Sequence, residues 1–161
     1  MVIFRSSEEE FHALYQSQGP KIRRMIYGMV GSDAIAQELA HEAFLKAWKE
    51  LPYFMRKSKL STWLYQIAMN CARDYLRSHK RAPAIEEDFV EELSPERRAV
   101  REGLLEMDFS SREILVLHYY EGFQVDEIAD ILKMPSGTVK SKLFDSRKSL
   151  RELLLKKGFD V

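Results

Sequence analysis

Apolar positions recur at intervals of three and four residues along almost the whole chain, and no stretch of useful length alternates strictly between apolar and polar residues. Spacing of three and four places apolar side chains on one face of a helix, whereas strict alternation is typical of a half-buried strand. The pattern therefore predicts an all-α protein without strands.

The first half of the sequence is predicted to form three helices. The first covers residues 8–30 and is expected to break at Gly19-Pro20, because proline removes a helical hydrogen bond. A turn at residues 31–33 begins the second helix, which carries a strong apolar face and ends near Leu51-Pro52. The third helix begins at about Leu60 and ends in a basic run. These three helices can surround one core.

Charge is unevenly distributed, although Lys and Arg balance Asp and Glu in the chain as a whole. Residues 82–96 contain six carboxylates and no Lys or Arg, while residues 133–157 contain eight basic and two acidic side chains. The acidic stretch also has two prolines and little periodicity, which is typical of a linker. We therefore predict two small helical domains, residues 1–81 and 96–161, joined by a flexible acidic linker, residues 82–95.

The second domain is predicted to contain four helices. Residues 96–107 and 110–120 form the first two, and Ser110 with Glu113 has the spacing of a capping box. Residues 125–132, a turn around residues 134–137 and the basic segment that follows have the order of a helix-turn-helix motif. Ser136 is expected to cap the last helix.

The last helix has only a thin apolar stripe. Most of its other side chains are hydrogen-bond donors suited to phosphates and base edges. If its N-terminal turn enters a major groove, Ser136, Thr138, Lys140 and Ser141 approach the bases. Helix-turn-helix geometry also occurs in domains that bind only proteins, but the basic excess favours DNA.

Residues 51–81 interleave aromatic with basic side chains. Aromatic faces stack on unpaired bases while cations follow the backbone, so this pattern suits single-stranded or melted DNA. The alternative is that the aromatic residues belong to the core, which is the preferred interpretation for Trp63 and Tyr75 because both fall on the apolar face.

The sequence gives little support for a metal or cofactor site, an active site or a membrane segment. The four histidines are scattered and the single cysteine, Cys71, cannot complete a zinc site, so no metal or other cofactor is expected. A phosphate-binding glycine-rich loop is also absent from the sequence, and we predict no enzymatic activity. Without an apolar run of membrane-spanning length or a signal peptide, the chain is expected to be cytoplasmic.

Three segments in order carry a specific resemblance: "ELAHEAFLKAWKELPYF", "STWLYQIAMNCARDYLR" and "REILVLHYYEGFQVDEIADILKMPSGTVKSKLFDSRKSLREL". Together they resemble the small bacterial RNA polymerase sigma factors of the extracytoplasmic-function (ECF) group in the sigma-70 family. The resemblance implies that the first domain (region 2) binds core RNA polymerase and opens the minus-ten promoter element. It implies that the second domain (region 4) reads the minus-thirty-five element, with an anti-sigma factor as a further possible partner.

The same resemblance assigns residues to three functions. Core polymerase would be bound by Glu38, Leu39, His41, Glu42 and Phe44. Minus-ten DNA would be bound by Phe54, Arg56, Lys57, Lys59, Thr62, Asn70, Arg73 and Arg77. Minus-thirty-five DNA would be bound by Ser136, Thr138, Lys140, Ser141, Phe144, Asp145, Arg147 and Lys148.

The sequence departs from the family pattern at several of these positions. Glu38 and His41 stand where the family usually has Asp and Gln, and both can still form hydrogen bonds. The loop sequence "MRKSK" and Asp145, at a position that is often Arg, leave the promoter sequence open. The main alternative is a stand-alone regulator with a LuxR-type DNA-binding domain and a helical sensor domain, because "EIADIL" and "GTVKSKL" resemble that class as well.

Overall fold

The computed structural model describes residues 2–79 and 94–160, with side chains from Ser7 onward. The all-α prediction is confirmed, since the described residues form α-helices and short helical turns and contain no strand. The α-helices are α1 (Val2–Val30), α2 (Asp33–Glu50), α3 (Leu60–His79), α4 (Pro95–Glu106), α5 (Phe109–Leu115), α6 (Val125–Leu132) and α7 (Ser136–Lys156). A 3₁₀ turn, Leu51–Tyr53, follows α2, and a π-helical turn, Val116–Tyr120, follows α5.

We call α1–α3 the N-terminal unit and α4–α7 the C-terminal unit. The predicted linker, residues 82–95, lies outside the described residues except for its last two. Ser94 accepts a hydrogen bond from the Arg97 amide at 3.3 Å and caps α4, and Pro95 is the first residue of that helix. Proline suits this position because the first helical residue needs no amide hydrogen.

The N-terminal unit is held together by the apolar faces of its three helices. Ile22, Met25, Ile26 and Met29 of α1 are fully buried against the buried faces of α2 and α3. Complete burial of an aliphatic side chain of this size contributes about 1.5–3 kcal/mol. This packing fixes the orientation of α2 and α3, which carry the predicted polymerase and minus-ten residues.

The break predicted at Gly19-Pro20 is wrong, because α1 continues through Pro20. Pro20 is exposed, so the backbone carbonyl that loses its helical partner can face water. Leu14 before the proline and Ile22 after it are both buried in the same core. Tertiary packing on both sides therefore outweighs the local preference for a break.

The predicted turn at residues 31–33 is confirmed. Gly31 adopts φ 78°, a left-handed conformation that suits glycine. Ser32 caps α2 by accepting a hydrogen bond from the Ile35 amide at 3.3 Å, and Arg23 forms an ion pair with Asp33. The turn thereby sets the angle between α1 and α2.

The capping box predicted at Ser110 and Glu113 is wrong. Asp108 caps α5 by accepting a hydrogen bond from the Ser111 amide at 3.2 Å, and interaction with Ser111 lowers the pKa of the Asp108 carboxyl. Ser110 instead accepts a hydrogen bond from the Lys142 ammonium at 2.8 Å, and Glu113 is buried. Asp108 and Ser110 are both of residue types that commonly cap helices, and it is the Asp108 carboxylate that caps α5.

The helix-turn-helix order is confirmed in α6 and α7. Lys133 ends α6 in a left-handed conformation, with φ 54°, and Ile128 and Ala129 of α6 are buried together with Val139 and Leu143 of α7. Ser136 does not cap α7 as predicted. Pro135 occupies the cap position, and the Ser136 hydroxyl donates to the Asp126 carboxylate on α6 at 2.8 Å.

Candidate nucleic-acid interface

The exposed face of α7 carries the predicted minus-thirty-five residues. Val139, Leu143 and Ser146 anchor the helix in the core, which leaves the intervening positions outside. The exposed side chains are Thr138, Lys140, Ser141, Phe144, Asp145, Arg147 and Lys148, while Ser136 is half-buried by its contact with α6. A basic helix face of this kind, preceded by a second helix and a short turn, can be inserted into a major groove.

Three features of this face were not apparent from the sequence. The Arg147 guanidinium lies over the Tyr119 ring, 5.7 Å from its centroid, so the cation is held near the surface of the C-terminal unit. The Lys142 ammonium donates to Ser110 and therefore points away from the exposed face. Phe144 is 71% exposed, which leaves a large apolar side chain in the middle of a polar surface.

The predicted polymerase-binding residues of α2 divide between its surface and the core. Glu38, His41 and Glu42 are exposed, and Glu42 forms an ion pair with Lys46 at 3.0 Å. Leu39 and Phe44 are buried and hold α2 against the core, so a contribution of these two side chains to polymerase binding stays a prediction.

An apolar groove between α1 and α2 adjoins the exposed face of α2. Phe44 forms its floor, with ring centroids 4.9 Å from Tyr15 and 6.1 Å from Phe11. Its walls include Tyr15, Leu45 and Trp48, which are 51%, 48% and 40% exposed. The apolar spacing of the second helix gave no sign that α1 and α2 leave these side chains uncovered.

The loop between α2 and α3 carries the first of the predicted minus-ten residues. Phe54 is half-buried against Trp63, with ring centroids 4.8 Å apart. Arg56 adopts φ 54° and pairs with Glu10 of α1 at 2.9 Å. Lys57 and Lys59 are exposed. Positive charge is therefore displayed at the loop, next to an aromatic ring.

On α3 the predicted minus-ten residues are spread along the helix. Thr62 and Asn70 are eight positions apart, which corresponds to about 12 Å of helix length. The Asn70 side-chain Oδ1 accepts a hydrogen bond from Arg73 at 2.7 Å, and Arg77 forms an ion pair with Asp74. Thr62 and Asn70 therefore lie at different points along the predicted DNA path.

Arg73 also contacts the C-terminal unit. Its guanidinium pairs with Glu113 at 2.9 Å and lies over the Phe109 ring at 5.0 Å. Burial raises the pKa of the Glu113 carboxyl, an effect that the nearby Arg73 opposes. Nothing in the local sequence around Arg73 indicated this pairing, because the two residues are 40 positions apart.

The aromatic residues of α3 lie mostly in the interior. Tyr65 is fully buried, with its ring against Phe123 of the C-terminal unit, 4.9 Å away. Trp63 and Tyr75 are half-buried against the core, in agreement with the core interpretation of these two residues. The loop and the polar residues of α3, rather than its aromatic rings, are thus available to nucleic acid.

The described residues contain neither a candidate metal site nor a candidate membrane-spanning helix. Across residues 2–79 and 94–160, no three His, Cys, Asp or Glu side chains form a group able to hold a metal ion. In the same segments, none of the helices has both the length and the apolar composition needed to cross a membrane. Cys71 is buried, and burial raises the pKa of its thiol.

Comparison with known proteins identifies both units. Residues 14–82 match the family described as Sigma-70 region 2, and residues 97–150 match Sigma-70, region 4. The ECF RNA polymerase sigma-E factor of Escherichia coli K12 is 31% identical and covers 91% of this chain and 87% of its own length. The ECF RNA polymerase sigma factor SigW of Bacillus subtilis is 28% identical, with 93% and 91% coverage.

Solved structures have the same fold. CnrH, in complex with the cytosolic domain of CnrY, matches with a TM-score of 0.75 at 22% identity over 91% of this chain and 88% of its own. The sigma factor RpoE of Bartonella quintana, in complex with the anti-sigma factor NepR, matches with a TM-score of 0.71 at 24% identity over 91% of this chain and 97% of its own.

The match of residues 14–82 to Sigma-70 region 2 argues against the LuxR-type alternative, whose first domain would be a sensor. Together, the two regional matches and the sigma-E relative account for both helical units in the predicted order. The chain belongs to the sigma-70 family of RNA polymerase sigma factors, in its extracytoplasmic-function group.

Proposed function

We propose that this chain binds core RNA polymerase and directs it to a specific set of promoters, with α2 facing the polymerase, α3 and its preceding loop facing melted minus-ten DNA, and α7 facing the minus-thirty-five duplex. This proposal rests on one observation: both matched regions occur in this chain in sigma-factor order, and the basic side of α7 is exposed. The role is that of a non-catalytic initiation factor.

The proposed polymerase surface combines polar and apolar contacts. Glu38, His41 and Glu42 supply exposed hydrogen-bonding groups along α2, and the groove lined by Tyr15 and Trp48 supplies apolar area beside them. Helices commonly dock through an apolar anchor surrounded by polar contacts. The acidic character of α2 favours a basic partner surface.

The proposed upstream contact uses the first turns of α7. Thr138, Lys140 and Ser141 are exposed near the N-terminus of the helix, where they can approach base edges. Arg147 and Lys148 lie further along and suit phosphates. Asp145 lies between these two groups of residues and would repel a phosphate or accept a hydrogen bond from a cytosine amino group, which makes it the proposed determinant of sequence preference.

The proposed downstream contact uses the loop and α3. Phe54, Arg56, Lys57 and Lys59 lie at or near the surface of the loop, where an aromatic ring and cations can hold an extruded base and its backbone. The polar and basic residues of α3 continue this path, with Asn70 and Arg77 exposed.

Partners and location follow from this function. Promoter DNA and core polymerase are the principal partners, and both place the protein in the cytoplasm. An anti-sigma factor is a further proposed partner, because two solved relatives of the same fold are complexes, one with the anti-sigma factor NepR and one with the cytosolic domain of CnrY.

Transcription in a purified system tests the proposal. The protein is mixed with core polymerase and a pool of randomised double-stranded DNA, and the 5′ ends of the transcripts are sequenced. We expect transcripts only when protein and core polymerase are both present, and their templates should share two upstream sequence elements. Transcripts without shared elements, or equal transcription by core polymerase alone, would contradict the proposal.

A further inference from the structure

The segment between α2 and α3, residues 54–59, is joined to α1 by one bidentate ion pair, and we call this segment the α2–α3 loop. The two terminal nitrogens of the Arg56 guanidinium donate to the two carboxylate oxygens of Glu10, at 3.0 and 2.9 Å. Because two parallel hydrogen bonds are formed, the pair fixes the orientation of the guanidinium as well as its distance from α1. The two residues are 46 positions apart in the sequence.

Glu10 belongs to a part of α1 that is packed firmly against α2. The ring of its neighbour Phe11 lies 5.0 Å from that of Trp48 and 6.1 Å from that of Phe44, measured between centroids. The Glu10 side chain is 29% exposed, whereas that of Arg56 is 65% exposed. The carboxylate is therefore the fixed partner of the pair, and the arginine is the partner that is displayed to solvent.

The backbone of Arg56 has an unfavourable conformation. Its φ of 54° lies in the left-handed region, which is disfavoured for residues with a Cβ atom. The Phe54 amide donates to the Leu51 carbonyl at 3.1 Å where the loop begins, but across the described part of the chain residues 55–58 form no hydrogen bond between backbone groups. Such a segment needs a side-chain contact to keep its shape, and the ion pair with Glu10 supplies that contact.

The same guanidinium lies beside the aromatic residue of the loop. Its central carbon is 6.0 Å from the centroid of the Phe54 ring, and that ring lies 4.8 Å from the ring of Trp63 on α3. A continuous series of contacts thus runs from Glu10 on α1 through Arg56 and Phe54 to α3. It crosses the surface that is proposed to hold an extruded base, so the arrangement of that surface depends on a residue of α1.

The ion pair leaves Arg56 able to bind DNA. A guanidinium has five N–H donors, and the two hydrogen bonds to Glu10 use two of them, so three can still reach a phosphate or a base edge. An ion pair this exposed contributes little to the stability of a fold. Holding a loop in its bound shape, however, reduces the entropy that is lost on binding. We therefore expect the pair to affect DNA binding more than folding.

We propose that Glu10 is a positioning residue for minus-ten DNA: it holds Arg56, and with it the α2–α3 loop, in the shape that receives an extruded base. This inference rests on the proposed role of the loop in binding melted DNA. Charge alone gives the opposite expectation, because the loss of a carboxylate near a DNA-binding surface strengthens DNA binding. Competition between Glu10 and DNA for Arg56 would also give a gain in affinity. The sign of the change in affinity therefore separates positioning from both alternatives.

Three substitutions in the full chain test the inference. Glu10→Gln keeps the size of the side chain but removes the charge and the bidentate geometry, and Glu9→Gln is its matched control at the exposed neighbouring position of α1. Arg56→Gly removes the arginine, while glycine can adopt the same φ without strain. Combining Glu10→Gln with Arg56→Gly completes a double-mutant cycle, which measures whether Glu10 acts through Arg56. Circular dichroism and urea denaturation establish that each variant is folded.

Nuclear magnetic resonance of the free chain gives the first readout, through the order parameters of the amides of residues 55–58. We expect values of about 0.8 or more in wild type and Glu9→Gln, and of about 0.6 or less in Glu10→Gln, because the loop loses the contact that holds it. A loop that is already mobile in wild type, or one that is equally ordered in Glu10→Gln, would overturn the inference.

Binding of DNA by the complex with core polymerase gives the second readout. The probes are labelled single strands that cover the minus-ten element of a promoter that the protein transcribes, with each of the four bases in turn at each position. We expect Glu10→Gln to bind the preferred strand about threefold more weakly than wild type and to discriminate less between bases at the most selective position. Glu9→Gln should bind as well as wild type or slightly better. In the Arg56→Gly background, Glu10→Gln should no longer weaken binding.

The outcomes of this measurement are distinct. A gain in affinity for Glu10→Gln, or the same loss with and without Arg56, would overturn the positioning role. A loop that becomes mobile without any change in affinity or base preference would also overturn it, while leaving the proposed function intact. A failure to obtain any transcribed promoter would instead count against the proposed function and, with it, this inference, and the order parameters would still decide whether Glu10 holds the loop.

Discussion

The Arg73 guanidinium of α3 lies 2.9 Å from the Glu113 carboxylate of α5, so an arginine assigned to promoter DNA is paired with the other helical unit of the same chain. The Glu113 side chain is 6% exposed, and that of Arg73 is 41% exposed. The arginine can therefore leave the pair for solvent or DNA, whereas the carboxylate would lose its cation in a largely buried position. This asymmetry makes Glu113 the more informative residue to change.

Replacing Glu113 with glutamine should favour DNA over the contact between units. Glu113→Gln keeps the size of the side chain but removes the charge that holds Arg73, so affinity for single-stranded minus-ten DNA should rise about threefold, as expected from the loss of one partly exposed ion pair of up to about 1 kcal/mol. Glu102→Gln is the control, because it makes the same substitution beside Arg98 within α4, away from the proposed minus-ten surface. An equal gain in both variants would show that only overall charge matters. Fluorescence anisotropy provides the measurement.

The same variant should change how stability depends on pH. Burial raises the pKa of Glu113 above its ordinary value of 4.5, so the folded state binds a proton more readily than the unfolded state. The free energy of unfolding of wild type should therefore increase relative to that of Glu113→Gln as pH falls through the raised pKa toward 4.5. Urea titrations of both proteins at several pH values measure this difference, and a difference that is independent of pH would contradict the assignment.

Removing the buried Arg112 side chain should be strongly destabilising. Its guanidinium donates to the carbonyls of Leu104, Leu105 and Met107 in the C-terminal unit and to that of Met29 at the end of α1, at 2.7–3.0 Å. Arg112→Met would remove these four hydrogen bonds from buried carbonyls, of which that of Leu104 still accepts from the Met107 amide, at a cost of about 3–5 kcal/mol in the free energy of unfolding. Arg97→Met, at an exposed position of α4, should change stability by less than about 0.5 kcal/mol. Equal denaturation midpoints for the two variants would contradict this role.

Much of the fold could be predicted from sequence because helices are encoded by local spacing. The apolar periodicity, the turn at Gly31-Ser32 and the helix-turn-helix order all depend on residues within a few positions of one another. The errors occurred where packing decides the outcome. Pro20 remains inside α1 because core contacts flank it, and Asp108 rather than Ser110 caps α5.

The candidate site was predictable in its residue types but not in its contacts. Leu39 and Phe44 match the family motif by position, yet they are buried, because a motif combines residues that bind a partner with residues that hold the helix. The pairs Tyr65–Glu121 and Arg24–Glu121 join positions 56 and 97 residues apart. Local pattern contains no information about pairs at such separations, so the contact between the two units required the structure.

Asp145, one of two exposed acidic residues of α7, should set upstream specificity. Asp145→Arg should tighten binding to all duplex DNA and change the sequence obtained from a selection over randomised upstream elements. Glu152→Arg is the control, since it makes the same change of charge two turns further along a similar face, away from the N-terminal turns. An unchanged preferred sequence in Asp145→Arg would remove this residue from base recognition. A single base contact should account for about 1–3 kcal/mol on the matching sequence.

Charge reversal on α2 should weaken polymerase binding. Glu42→Lys replaces an exposed carboxylate whose ion pair with Lys46 contributes only about 0.3–0.5 kcal/mol to stability, so the fold should be retained. Glu50→Lys, at the exposed end of the same helix, is the matched control. We expect a loss of affinity for core polymerase of about tenfold or more in Glu42→Lys alone, measured in a titration with labelled protein. Equal affinities for the two variants would place the docking surface elsewhere.

Permanganate reactivity of unpaired thymines tests promoter opening by this chain most directly. The promoter obtained by transcription selection is treated with permanganate in the presence of core polymerase, of this protein, of both, and of core polymerase with Asn70→Ala. We predict reactive thymines around the minus-ten element only when wild-type protein and polymerase are both present, and a reduced signal for Asn70→Ala with the upstream element still protected. The same reactivity with core polymerase alone would contradict a role for this protein in opening the promoter.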